Sequence, residues 1–131
     1  MPHLPGNGRN RVSVTHVDHL VHAVERAMSR TAPEGLFDIA DDVVPTMEAL
    51  LRTMFARHAV DVELVFVPRA IAWAAAAGFE QAWRLGGLSG EPPLTRYAVK
   101  NLADTCQLDC SPARQQLGYR PTFSYLDGPL D

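Results

Sequence analysis

Short segments rich in β-branched residues alternate along this chain with longer segments in which apolar residues recur every three or four positions. The first kind of segment predicts a strand and the second predicts an amphipathic helix. The predicted strands span residues 11–17, 36–40, 62–67 and 105–110. The predicted helices begin near residues 18, 45, 69 and 94. Strands that alternate with helices indicate the α/β class, so we expect an α/β fold in which residues 1–131 form a single region.

The overall composition excludes several classes of protein. With 131 residues the chain is long enough for one domain with a modest core. The formal charge is −3 and the basic residues are scattered, so nucleic acid is not an expected partner. The longest apolar run covers residues 70–79, whereas a membrane-spanning helix needs about 20 residues. No export signal is visible at the start of the chain, and we expect a cytoplasmic protein without a membrane span.

Three histidines with a three-residue spacing raise the question of a metal site. His19 and His22 would lie on one side of a helix that follows His16, so two imidazoles could reach one ion. No third ligand at helical spacing and no HExxH motif accompany them, so no metal site is expected. The simpler interpretation places His19 and His22 in solvent, opposite an apolar stripe that includes Leu20 and Val24.

Two cysteines are too few for a disulfide scaffold or a four-cysteine zinc site. Cys106 and Cys110 lie four residues apart, so they could form half of a zinc site only with ligands from elsewhere. Reduced thiols are the expected state of both residues.

Motifs for catalysis or phosphate binding are incomplete in this sequence. Residues 1–10 are predicted to form an irregular loop, in which Gly6-Asn7-Gly8 makes a tight turn, because a phosphate loop needs a preceding strand and a following helix. Tyr97 and Lys100 are separated by three positions instead of the four of the dehydrogenase Tyr-x-x-x-Lys pair. We interpret Tyr97 as a core or pocket-lining residue and Lys100 as a surface residue. The residues alone therefore name no reaction and no catalytic side chain.

The order of three longer stretches is more informative than any one motif. Residues 4–28 carry a glycine–x–glycine–x–asparagine turn and then Val-Asp; residues 35–51 begin "GLFDIADD"; residues 92–121 end "SPARQQLGYRP". In that order they resemble the C-terminal part of the extended short-chain dehydrogenases/reductases. The subgroup that they most resemble is the 3β-hydroxysteroid dehydrogenase and sterol-4α-carboxylate 3-dehydrogenase family, which is also described as NAD-dependent epimerase/dehydratase.

This resemblance implies the C-terminal substrate-binding region of a Rossmann-type enzyme, with several helices and one or more edge strands of the cofactor sheet. Full-length members bind NAD or NADP through a GxxGxxG turn and use Tyr-x-x-x-Lys. Neither motif occurs among these 131 residues. The resemblance therefore implies that the N-terminal dinucleotide-binding domain is absent, and that this chain alone is inactive and binds no cofactor.

The resemblance also places a substrate pocket. Its expected residues are Gly6 and Asn10 of the first loop, His16, and Arg69 and Trp73 at the start of the third helix. The expected ligand is a small molecule, either a hydroxysteroid-like or other lipophilic secondary alcohol or a sugar-like compound.

Three functions remain open from the sequence. The first is a substrate-binding fragment of an NAD(P)-dependent oxidoreductase. The second is one half of a split dehydrogenase or epimerase that a separate Rossmann chain completes. The third is a binding module for a lipophilic ligand without redox chemistry, suggested by Trp73, Phe79 and Trp83. Open strand edges and uncovered apolar faces also predict marginal stability or self-association of the chain alone.

Overall fold

The computed structural model describes residues 2–29, 31 and 33–122 of this chain. It confirms the α/β class, with helices and a small parallel sheet. The elements in chain order are β1 (His3–Pro5), α1 (Val17–Ala27), α2 (Met47–Arg57), β2 (Val65–Val67), α3 (Arg69–Gly86), α4 (Arg96–Ala103) and a π-helical turn (Ala113–Leu117).

The chain divides into two compact units, each made of two separate stretches. Unit 1 contains Met1–Arg11 and Thr46–Thr105, and unit 2 contains Val12–Pro45 and Cys106–Asp131. Two units can belong to one functional region, so the expectation of a single region stays a prediction. Among the described residues, no helix combines the length and the apolar composition needed to cross a bilayer.

The sheet of unit 1 is small. β1 and β2 are parallel, with Leu4 opposite Phe66, and the Gly6 N–H donates to Val67 O at 2.8 Å. The predicted strand at residues 62–67 therefore forms only in its last three residues. Residues 3–5, predicted as part of a loop, form its partner, and Pro5 is tolerated there because β1 is an edge strand.

Three other predicted strands do not form. Residues 11–17 and 105–110 contribute only isolated bridges, and residues 36–40 contribute none. The prediction was wrong for a physical reason: a β-branched alternating segment is a strand only when a neighbouring strand satisfies its backbone groups.

The core of unit 1 lies between α3 and α4. Ala72 and Ala76 of α3 are buried together with Val99 of α4, and Val67 and Leu94 pack around them. Two alanines at this contact let the helix backbones approach closely, so few side-chain atoms lie between α3 and α4.

An ion pair also joins these two helices. Glu80 Oε1 accepts the Arg96 backbone N–H at 2.8 Å, and Oε2 accepts Arg96 Nε–H at 2.7 Å. These hydrogen bonds to the backbone and then to the guanidinium hold the pKa of Glu80 below its ordinary value. The pair therefore fixes the start of α4 beside α3.

The core of unit 2 surrounds a buried tyrosine. Tyr119 packs with Ala23 of α1 and Ala113 of the π-helical turn, and its hydroxyl donates to Ala40 O at 3.0 Å. Gly118 adopts a left-handed conformation with φ of 66°. This left-handed residue ends the π-helical turn and directs Tyr119 into the core.

Helix α1 is oriented against the prediction. His19, expected in solvent, has only 2% of its surface exposed. The apolar stripe on the same helix is open instead, with exposed fractions of 50% for Leu20, 49% for Val24 and 78% for Met28. The reason is that unit 2 offers His19 polar partners in its interior, namely Asp41 Oδ1 and the Thr122 N–H.

Candidate functional site

An open cleft in unit 1 is the candidate functional site. Its volume is about 640 Å³, within the range of small-molecule sites. It lies where the first loop, the end of β2 and the start of α3 meet the end of α4. The lining residues are Gly6, Asn7, Arg9, Phe66, Pro68, Arg69 and Ala103.

The loop at residues 6–10 is held against the wall of the cleft by glycine conformations. Gly6 and Gly8 have φ of 96° and 71°, values that side-chain-bearing residues rarely adopt. A Cβ at Gly8 would lie 2.5 Å from Phe66 Cζ. Asn7 Oδ1 accepts the Arg9 N–H at 3.0 Å, and the loop thereby presents Arg9 to the cleft.

The first turn of α2 anchors the same loop. The Met47 and Glu48 N–H groups donate to Asn10 O and Gly8 O at 2.8 and 3.0 Å, and Thr46 caps the helix by accepting from Ala49 N–H at 3.2 Å. Amides that a helix leaves without internal partners are thus used to fix the loop.

Arg69 is the second cation of the cleft, and two neighbours orient it. Its Nη2 lies 3.1 and 3.2 Å from the two carboxylate oxygens of Asp104. Its guanidinium carbon lies 6.0 Å from the centre of the Trp73 ring, at the outer limit of a cation–π contact. Within the described residues, Nε and Nη1 of Arg69 make no hydrogen bond, so their N–H groups are available as single donors.

The cleft is positively charged. Arg9 makes no ion pair with any described side chain, whereas Arg69 is balanced by Asp104. The Arg69–Asp104 pair is partly solvent-exposed, and such pairs contribute less than about 1 kcal/mol. A cleft of one uncompensated and one weakly compensated guanidinium beside Phe66 favours an anion with an apolar tail.

The structure brings together three of the five predicted site residues. Gly6 and Arg69 line the cleft, and Trp73 contacts Arg69. Asn10 is buried behind the loop, where its Nδ2 donates to Asp104 O at 3.1 Å. Asn10 therefore stabilises the loop through this hydrogen bond. Contact of any of these residues with a substrate stays a prediction.

His16, the fifth predicted residue, does not line the cleft. It belongs to unit 2 and caps α1, since its Nδ1 accepts the Asp18 N–H at 3.3 Å. Its own backbone N–H donates to Asp41 Oδ1 at 3.0 Å. Its predicted role toward a substrate remains untested.

His19, the central histidine of the sequence cluster, is a hydrogen-bonded support and not a free ligand. His19 Nδ1 lies 2.7 Å from Asp41 Oδ1, and His19 Nε2 accepts the Thr122 N–H at 3.1 Å. Both ring nitrogens are engaged, so neither has a lone pair to offer a metal. In the parts of the chain that the structure describes, no three His, Cys, Asp or Glu side chains are arranged to hold a metal ion.

Sequence reasoning missed Arg9, Phe66 and Asp104. Arg9 lies inside the predicted glycine loop, and a count of cations next to that loop could have found it. Phe66 and Asp104 become visible only when β2 and α4 are placed beside the loop. Tyr97, interpreted as core or pocket lining, is instead 75% exposed.

The described residues do not fit a dinucleotide. Such a site needs a strand-to-helix turn with glycines, where the backbone approaches the pyrophosphate. The β2–α3 connection is Val67-Pro68-Arg69, which has no glycine and loses one N–H donor at Pro68. No step of cofactor chemistry can therefore be assigned to residues of this cleft.

Comparison with known proteins supplies the chemical context. No protein-family model matches the chain. The 2-alkyl-3-oxoalkanoate reductase of Stenotrophomonas maltophilia is 30% identical over 131 residues, which is 95% of this chain and 39% of that protein. The chain is therefore similar to part of a protein that carries the name of a reductase. A reductase of the same name from Shewanella oneidensis is 30% identical over 84% of this chain and 29% of its own length.

Two further matches agree in extent. The Escherichia coli protein YbjS, described as uncharacterized, is 29% identical over 95% of this chain and 38% of its own length. The crystal structure of gox2253 matches 92% of this chain and 35% of that chain, with a TM-score of 0.64 and 20% identity; this likeness shows the fold alone. The chain thus spans less than two fifths of the length of each of these relatives.

Proposed function

We propose that this chain supplies the substrate-binding part of an NAD(P)-dependent reductase that converts 3-oxo acids to 3-hydroxy acids. The relatives from Stenotrophomonas maltophilia and Shewanella oneidensis carry the name of such a reductase. The structural observation that carries the proposal is the cleft, in which Arg69 and Arg9 stand beside Phe66. A 2-alkyl-3-oxoalkanoate has the matching groups, a carboxylate and alkyl chains.

The proposal divides the reaction between two parts of an enzyme. Reduction adds a hydride to the ketone carbon and a proton to its oxygen. The sequence contains neither GxxGxxG nor Tyr-x-x-x-Lys, so we assign both transfers to residues outside this chain. Residues 6–10 and the start of α3 then bind and orient the acid.

The exposed stripe of α1 supports completion by further residues. Leu20 and Val24 are about half exposed and Met28 is mostly exposed, while polar His19 is buried. Amphipathic helices ordinarily bury the apolar side. The curated relatives are longer than this chain, so they contain further residues that could cover this stripe. We propose that the dinucleotide-binding part of the reductase covers it, either in the same chain or in a separate one.

A hydroxysteroid substrate has less support than a 3-oxo acid. None of the three curated relatives above is named for a steroid or an epimerase. The second candidate is a binding module for a lipophilic ligand, favoured by the partial exposure of Trp73 (39%) and Phe79 (41%) on α3. That candidate expects binding without turnover.

A chimera tests the proposal. The segment of the Stenotrophomonas maltophilia reductase that matches this chain is replaced by residues 1–131, and oxidation of NADPH is followed with a 2-alkyl-3-oxoalkanoate. We expect reduction of the oxo acid that exceeds that of the truncated reductase without the segment. A folded chimera that binds NADPH and reduces nothing would overturn the proposal. If the chimera does not fold, an equimolar mixture of the two parts is assayed, and absence of turnover there counts against it as well.

A further inference from the structure

We infer that Arg9 and Arg69 form a carboxylate subsite that selects free acids over uncharged esters and alcohols. For its ligand class the inference rests on the proposed function. It goes further in naming the atoms that recognise the ligand and the compounds that the cleft rejects.

The uncommitted N–H donors of Arg69 are the first support. Asp104 engages only Nη2, at 3.1 and 3.2 Å, and Nε and Nη1 make no hydrogen bond to a described residue. These two nitrogens do not share one edge of the guanidinium, so each can donate a single charge-assisted hydrogen bond to a carboxylate oxygen of the ligand. Asp104 and Trp73 hold the guanidinium in place before a ligand arrives, which lowers the entropic cost of binding.

Asp104 offsets the positive charge of Arg69, so the net positive charge of the cleft comes from Arg9. Its backbone N–H is fixed by Asn7 Oδ1 at 3.0 Å, and its side chain lines the cleft without an ion pair to any described residue. The two arginines and Asp104 sum to one positive charge, which one monoanionic ligand neutralises. An ester or an alcohol leaves that charge unbalanced.

The apolar lining gives the direction of the bound acid. Phe66 of β2 packs its ring against Gly8 of the loop, and Pro68 precedes Arg69 at the start of α3. With the carboxylate on the Arg69 guanidinium, the alkyl chain lies along Phe66 and Pro68. Pro68 also provides no side-chain cap to α3, so the positive end of the helix dipole adds to the attraction for the carboxylate.

A titration with octanoate and 1-octanol tests this subsite. The two probes share an alkyl chain and differ in the carboxylate. Nε–H resonances of ¹⁵N-labelled protein report binding at each arginine, and dissociation constants are measured for the unaltered chain and for Arg9→Gln and Arg69→Gln. The matched control is Arg84→Gln at the other end of α3, about 22 Å along the helix axis.

We expect octanoate to bind at least about tenfold more tightly than 1-octanol, and each cleft variant to lose about tenfold in octanoate affinity. Arg84→Gln should change neither value. Equal binding of the two probes, or octanoate binding that is insensitive to both cleft variants, overturns the inference. Absence of octanoate binding also overturns it. In each of these cases the chimera assay still decides the proposed function separately.

A variant that loses its fold, judged by circular dichroism, is replaced by Arg9→Lys or Arg69→Lys, for which we expect a smaller loss of octanoate affinity because the charge remains.

Discussion

His19 Nδ1 and Asp41 Oδ1 lie 2.7 Å apart in the interior of unit 2, and both side chains are almost fully buried. The same carboxylate oxygen also accepts the His16 N–H at 3.0 Å, and the other ring nitrogen of His19 accepts the Thr122 N–H at 3.1 Å. This pattern fixes the tautomer, with hydrogen on Nδ1 and a lone pair on Nε2. One buried carboxylate therefore connects the start of α1 to the chain at residue 41.

Replacement of Asp41 by alanine should destabilise the protein strongly. The change removes the carboxylate acceptor of the buried His19 Nδ1–H and of the partly buried His16 N–H, at a cost of about 2–4 kcal/mol in the free energy of unfolding. Asp42→Ala is the matched control, because Asp42 is exposed and, among the described residues, pairs with Arg114; it should cost less than about 1 kcal/mol. Urea denaturation of both variants measures the difference, and equal losses would contradict this account of the pair.

Two glycines of unit 1 should respond to alanine in opposite directions. At Gly8 a Cβ would lie 2.5 Å from Phe66 Cζ and 2.9 Å from Glu48 Cβ, and φ is 71°. Gly8→Ala should therefore cost about 2–4 kcal/mol. At Gly78, inside α3, a Cβ meets nothing within 4 Å, so Gly78→Ala should stabilise the helix by about 0.5–1 kcal/mol. Thermal denaturation gives both signs, and a harmless Gly8→Ala would show that the loop can leave Phe66.

Tyr119 should make stability depend on alkaline pH. Burial, followed by the nearby negative charge of Asp41, raises the pKa of Tyr119 from 10.0 to about 12. Between these values the phenol ionises more readily in the unfolded chain, so the free energy of unfolding should fall as pH rises from about 10 toward 12. The stability contribution is fully present below pH 10.

The control for this prediction is Tyr119→Phe, which has no phenol to titrate at that position. It should be less stable at neutral pH by about 1 kcal/mol through loss of the hydrogen bond to Ala40 O. The difference between the two proteins should then shrink above pH 10. Parallel pH profiles from pH 8 to 12 would mean that ionisation of Tyr119 is not linked to unfolding.

The two cysteines should react with thiol reagents at very different rates. Cys106 is exposed and Cys110 is buried, and burial raises the pKa of the Cys110 thiol above its ordinary value. Less thiolate and less access both slow the reaction. With Ellman's reagent we expect one thiol to react rapidly in the native protein and the second only on unfolding. In Cys106→Ser the rapid phase should disappear; if it persists, Cys110 is accessible.

The apolar stripe of α1 should drive association when the chain is made alone. Leu20 and Val24 are about half exposed, and a contiguous apolar patch of this kind ordinarily marks a contact surface. Val24→Lys should lower the average mass in solution as measured by light scattering. Glu25→Lys is the control, since it alters charge on the neighbouring position and leaves the stripe intact. Equal effects of both variants would assign the change to charge alone.

The helices were largely predictable because their signals are local. The helix predicted to begin near residue 69 is found as Arg69–Gly86, and the helix predicted to begin near residue 94 is found as Arg96–Ala103. Threonine caps and hydrophobic periodicity act within one or two turns. The strands were poorly predicted because a strand depends on a partner that is distant in sequence, as β1 depends on β2.

The orientation of α1 shows a second limit of sequence reasoning. Periodicity correctly identifies an apolar and a polar side of this helix, but it does not say which side the rest of the chain covers. Here Asp41 and the backbone of Thr122 bind His19, and these partners lie 22 and 103 positions away. The candidate cleft likewise depends on contacts between distant parts of the sequence, because Arg9, Phe66 and Ala103 come from three separate stretches.

The discontinuous units have a consequence for synthesis on the ribosome. The first stretch of unit 2 ends at Pro45, and its second stretch begins only at Cys106, after all of the intervening residues of unit 1. At the usual rates of translation, that interval lasts on the order of 3–12 s. During this time Ala23 of α1 lacks its packing partners Ala113 and Tyr119, which have not yet been synthesised. We expect the nascent helix to bind chaperones that recognise apolar segments.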